Sequence, residues 1–161
     1  MDANSVNYVV RLDKTNTIYF KNITIQNDSL NRGCIIQARG GDKLKFSNCV
    51  LEFSGPAATG TSSLNKIIHV TNSYNPNSSV TTFYNSIEID SCIFNNGYSA
   101  FDGSFTNTTC QIFLRNNTIN NPSAYGVYST SNGTFKILGN RFTMRNNGSN
   151  SSILIFNFES I

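Results

Sequence analysis

Charge is scarce in this sequence. Asp, Glu, Lys and Arg make up 13% of its 161 residues, against a usual share of about a quarter. Twelve basic and nine acidic side chains leave a net charge of +3, and the basic ones are scattered. Nucleic-acid binding calls for a clustered basic stripe, so no nucleic-acid partner is expected. Tryptophan is absent and histidine occurs once, at His69. One imidazole cannot build a multi-histidine metal site, and no Ser-His-Asp triad is possible beyond that residue. The four cysteines are spaced by 15, 43 and 18 residues, which matches no metal-binding pattern. No metal and no cofactor are therefore expected. There is also no apolar run near the roughly 20 residues that cross a bilayer, so no membrane insertion is expected. The opening "MDANSVNYVV" lacks the basic start and apolar core of a secretory signal. Low charge can mark disorder, but disordered chains are poor in aromatic and β-branched residues. Seven Tyr and twelve Phe point instead to an all-β protein with polar, uncharged turns.

An internal repeat carries most of the information. Five eight-residue segments align without gaps: "IYFKNITI" from Ile18, "LKFSNCVL" from Leu44, "IEIDSCIF" from Ile87, "IFLRNNTI" from Ile112 and "FKILGNRF" from Phe135. The first, third and eighth columns are large and apolar in all five. Columns one and three follow the period of two of a strand with one buried face. Column five reads Asn22, Asn48, Ser91, Asn116 and Gly139, residues that accept a left-handed backbone at low cost. The next inward position follows soon after, so the polar elbow is a bend between two strands. A third short apolar run completes each repeat: "GCIIQA" from Gly33, "KIIHVT" from Lys66, "YSAFDG" from Tyr98, "YGVYST" from Tyr125 and "SILIFN" from Ser152. Three strands per turn, with a repeat near 25 residues, predict a solenoid whose stacked coils share one core. The expectation is one domain over 1–161, with coils starting near 18, 44, 87, 112 and 135 and loop excursions at 54–63 and 72–82.

With this coil pattern over about residues 17–158, the sequence resembles the right-handed parallel β-helix proteins of the pectin-lyase-like class. The resemblance implies an asparagine ladder inside the bend that lies between the second and third sheets of that class, with Asn117 and Asn140 as rungs and Cys49 and Cys92 replacing them in earlier coils. Functionally the class is broad, spanning lyases, hydrolases, esterases, viral tailspikes and adhesins. Pectin methylesterases of the class carry an Arg-Pro-Trp stretch, and this chain has no Trp. The acidic calcium cluster of pectate lyases has no counterpart either.

Two sets of candidate residues follow from the coil pattern. Glu88 and Asp90 project from one face of a single strand, roughly 7 Å apart, a spacing usable by an acid–base pair on a polysaccharide. The same stacking puts Lys45 beside Glu88 and Arg115 beside Asp90, the arrangement of ordinary cross-strand ion pairs. Aligning the third runs places Ile36, His69, Phe101, Tyr128 and Ile155 in one outward column, an apolar and aromatic stripe suited to protein contact or to sugar rings. Cys49 and Cys92 share a column, either as a disulfide or as stacked free thiols; free thiols would fit folding in a reducing cytoplasm. The apolar ending "SSILIFNFESI" predicts that a further domain or another subunit caps the C-terminal end. The functional expectation is a structural, receptor-binding or glycan-binding module of a tailspike, fibre or adhesin at an extracellular or virion surface. The alternative is a polysaccharide-degrading enzyme.

Overall fold

The computed structural model describes residues 8–28, 33–54, 63–71, 84–104, 109–130, 133–145 and 151–155. The excursion at 72–82 and all of 54–63 but its two end residues lie outside that set. Among the described residues every regular element is a strand. A nine-stranded parallel sheet contains β1 (Val10–Lys21), β3 (Ile36–Ser47), β5 (Lys66–Thr71), β6 (Ser86–Asp90), β8 (Ser99–Ser104), β9 (Gln111–Arg115), β11 (Tyr125–Ser129), β12 (Thr134–Leu138) and β14 (Ser151–Ile155). A five-stranded parallel sheet contains β2 (Thr24–Asn27), β4 (Val50–Phe53), β7 (Ile93–Asn95), β10 (Thr118–Asn120) and β13 (Arg141–Thr143). The larger sheet curls strongly, because β1 and β3 each serve twice. The first half of each is the third strand of one coil, and the second half opens the next. Gly40, at φ 74°, lets β3 turn that corner without leaving the sheet.

The register follows the sequence repeat. Ile18, Leu44, Ile87, Ile112 and Phe135 are successive partners, as are Phe20, Phe46, Ile89, Leu114 and Ile137. Ile25, Leu51, Phe94, Ile119 and Phe142 form the matching column of the smaller sheet. In the middle coils these side chains are fully buried, and Phe20 stacks on Phe46 with ring centroids 4.8 Å apart. Each Leu, Ile or Phe buried this way contributes roughly 1.5–3 kcal/mol, and no single coil could enclose them alone.

The elbow is left-handed in every coil. Asn22, Asn48, Ser91 and Asn116 have φ between 52° and 55°, and Gly139 has 64°. Asparagine reaches this region more easily than bulkier residues because its short amide bonds locally. Just inside the bend the amide ladder is present. The Asn117 side chain accepts from the Cys92 N–H at 2.9 Å and donates to the Ile89 carbonyl at 2.9 Å. Asn140 accepts in turn from the Asn117 backbone at 2.9 Å and donates to the Leu114 carbonyl. Each asparagine therefore closes the corner of the coil before it. Cys49 and Cys92 are free and buried, and each thiol donates to the carbonyl two residues back, at 3.3 Å. Burial is the main cause that pushes the Cys92 thiol up to about 12, so it stays protonated and inert.

Candidate functional site

The first expected pair, Glu88 and Asp90, lies in a cleft of roughly 350 Å³ bordered by Tyr19, Lys45, Ser47 and Arg115. Lys45 contacts Glu88 at 3.0 Å, and Arg115 reaches Asp90 at 3.6 Å and Glu88 at 3.9 Å. Asp90 also accepts from the Ser91 hydroxyl and the Asn116 amide. Both carboxylates are thus engaged by the cross-coil cations that the stacking predicts. Pairs this exposed contribute little, about 0.2–1 kcal/mol each.

The outward stripe needs correction. Ile36 pairs with Ile68, which pairs with Phe101, which pairs with Val127. Ile36 is 0% exposed and Phe101 2% exposed, so both belong to the core. His69 and Tyr128 sit on the other face, in a column that runs Arg11, Gln37, His69, Asp102, Tyr128. Ile155 pairs with Ser129 and lies in neither column. The cause is a one-residue slip. Third strands carry adjacent apolar residues, Ile35–Ile36 and Ile67–Ile68, all four buried. Nothing in such a run marks which residue faces in, and a shift of one swaps the faces.

The corrected column brings together a group that the sequence reading missed. Asp102 is 3% exposed, yet it accepts an ion pair from Lys66 Nζ at 3.0 Å and lies 3.5 Å from His69 Nε2. The Ser104 hydroxyl adds a long contact at 3.4 Å. Burial, and secondarily the Lys66 charge, pull the His69 imidazole down to about 4 despite Asp102. At neutral pH the His69–Asp102 contact therefore joins a neutral ring to a carboxylate and is not an ion pair. Beside it stand three phenols. Tyr125 meets Tyr98 edge-on at 5.7 Å and Tyr128 at a tilt, at 5.0 Å. Partial burial first, then Tyr125 and Asp102, raise the Tyr98 phenol, which keeps it a neutral hydroxyl. Ser63, Leu64, Lys66, Asp102 and the three tyrosines enclose an open cleft of roughly 300 Å³.

Chemically this cleft offers ring faces, phenolic hydroxyls and one buried carboxylate whose charge is offset. Among the described residues no group of three or more His, Cys, Asp or Glu could hold a metal ion. No helix in that set is long and apolar enough to cross a membrane.

A coiled, all-parallel stack of three-strand turns defines a β-helix. Comparison with protein-family models agrees: the right-handed β-helix region matches residues 8–160. The chain belongs to that family. Searches of curated proteins and of solved structures each return no match.

Proposed function

We propose that this β-helix is a glycan-binding receptor module of a tailspike, fibre or adhesin, acting at an extracellular or virion surface. The observation that carries the reading is the Tyr98–Tyr125–Tyr128 cluster beside the buried Asp102. Sugars present apolar ring faces and a rim of hydroxyls. Aromatic rings cover the former, and a fixed carboxylate with nearby phenols accepts and donates to the latter. Setting these groups on a rigid sheet places them before a ligand arrives, which lowers the entropy lost on binding. The family is permissive on function, so the reading rests on the cleft and not on the fold. Other subunits, or a further domain at the C-terminal end, complete the assembly in this proposal.

The test is a glycan array followed by titration calorimetry on the best ligand. Tyr128→Ala should weaken binding about tenfold, the loss expected when one stacked ring worth about 1.4 kcal/mol is removed. An empty array, or a Tyr128→Ala variant that binds like wild type, would sink the reading.

A second reading, polysaccharide cleavage, is favoured by the way Glu88 and Asp90 line one cleft. Incubation with surface polysaccharides should release no new reducing ends. Cleavage that disappears in Glu88→Gln or Asp90→Asn would establish the enzyme instead.

A further inference from the structure

We infer that the tyrosine cleft selects uncharged sugars and rejects acidic ones such as uronates, sialylated or sulfated glycans. The inference rests on the glycan-binding reading and specifies its ligand. Three groups set the charge of the cleft. Lys66 contributes one positive charge and Asp102 one negative charge, in contact at 3.0 Å. His69 contributes none at neutral pH, because burial and Lys66 hold it unprotonated. Tyr98, Tyr125 and Tyr128 add ring faces and hydroxyls. The sum is zero, with the cation already committed to a carboxylate that is almost wholly buried.

An acidic sugar would need a cation of its own. Lys66 has donors to spare, but its one charge is already balanced by Asp102, and sharing it weakens the hold on a carboxylate that is 3% exposed. Truncating one partner of a buried ion pair commonly costs several kcal/mol. Among the described residues of the third strands, the other cations on this face are Arg39 and Arg11. Both are shared with Asp13, at 3.7 and 2.6 Å. They lie on strands two and three removed from Asp102, about 10–14 Å away at some 4.8 Å per strand. That is at or beyond the screening length of about 10 Å in 0.1 M salt. A neutral sugar imposes no such rearrangement: its hydroxyls meet the phenols of Tyr98, Tyr125 and Tyr128, and the Lys66–Asp102 pair stays intact beneath. The volume, near 300 Å³, sits at the small end of ligand cavities and suits one or two rings.

The decisive experiment measures binding of two matched oligosaccharide sets, one neutral and one bearing uronate or sulfate groups, at low and high salt. Wild type should prefer the neutral set at least tenfold, with affinity changing less than twofold across the salt range. Asp102→Asn supplies the second arm. It leaves Lys66 uncompensated and should convert the cleft into one that binds the acidic set, weakening as salt rises. A wild-type preference for acidic sugars would overturn the selectivity while leaving glycan binding intact. So would a folded Asp102→Asn protein, verified by its thermal transition, that shows no gain for acidic sugars. If wild type binds neither set, the glycan reading fails and the selectivity with it. Should Asp102→Asn not fold, the wild-type comparison alone decides.

Discussion

Asn117→Ala should lower the stability of this protein by about 2–3 kcal/mol, although the side chain touches no candidate ligand site. Its amide is 2% exposed and holds two backbone groups of the preceding coil, the Cys92 N–H and the Ile89 carbonyl. Alanine can replace neither bond, and water has no access to the corner. Each orphaned buried group costs about 1–3 kcal/mol, with the carbonyl at the low end because it has a second lone pair. For a domain of this size the loss corresponds to a fall in Tm of roughly 5–10 °C. The neighbouring position provides the control. Asn116 is exposed, and what it supplies is a φ of 55°. Glycine adopts that angle freely, so Asn116→Gly should sit within about 0.5 kcal/mol of wild type. Equilibrium denaturation of both variants separates the cases. Equal destabilisation would mean that the ladder bonds of Asn117 hold the corner no more than the exposed Asn116 side chain does.

Acid should weaken the fold once the pH falls below about 6.5. His69 has its pKa depressed from 6.5 to about 4, by burial first and Lys66 second. Between those values the unfolded chain binds a proton that the folded chain refuses, so stability falls as pH falls. The contribution is fully present above pH 6.5 and is lost by pH 4. At about 1.4 kcal/mol per unit this amounts to about 3 kcal/mol. Denaturation midpoints at pH 7, 5.5 and 4.5 should drop steeply for wild type and stay nearly level for His69→Gln, which cannot titrate. Parallel slopes for the two proteins would show that the imidazole protonates without cost. An NMR titration of the one histidine provides a direct check.

How much of this was legible in the sequence depends on how each strand alternates. "IEID" and "IFLR" separate their apolar residues by one other residue. That spacing identified the inward columns, the cross-coil ion pairs and the elbow. The asparagine rungs came from the resemblance to the pectin-lyase-like class, with Cys92 occupying the place before Asn117. "GCIIQA" and "KIIHVT" lack such separation, since both faces at Ile35–Ile36 and Ile67–Ile68 are buried. The frame of the third strand was therefore open, and the stripe drawn through Ile36 and Phe101 took the wrong face. Asp102 had no visible partner for the same reason. Lys66 and His69 precede it by 36 and 33 residues, and only the correct frame brings the three together. The aromatic signal was available in "NNGYSAFDG" and "NPSAYGVYS", where tyrosines stand at or beside the start of the third strand in successive coils, Tyr125 one place on from Tyr98 in the register.

The corner that Gly40 turns has a practical consequence. In β3 the passage from one coil to the next needs no extra residues, whereas between β5 and β6 the same passage spans residues 72–85. Leu44 and Ile87 nevertheless stay in register across it. Insert length and core register are thus decoupled at this corner, and doubling an insert adds only about 0.6 kcal/mol of closure entropy. The molecule can be used as a display frame. Foreign peptides grafted between Thr71 and Tyr84 would vary freely while the coils beneath them keep count.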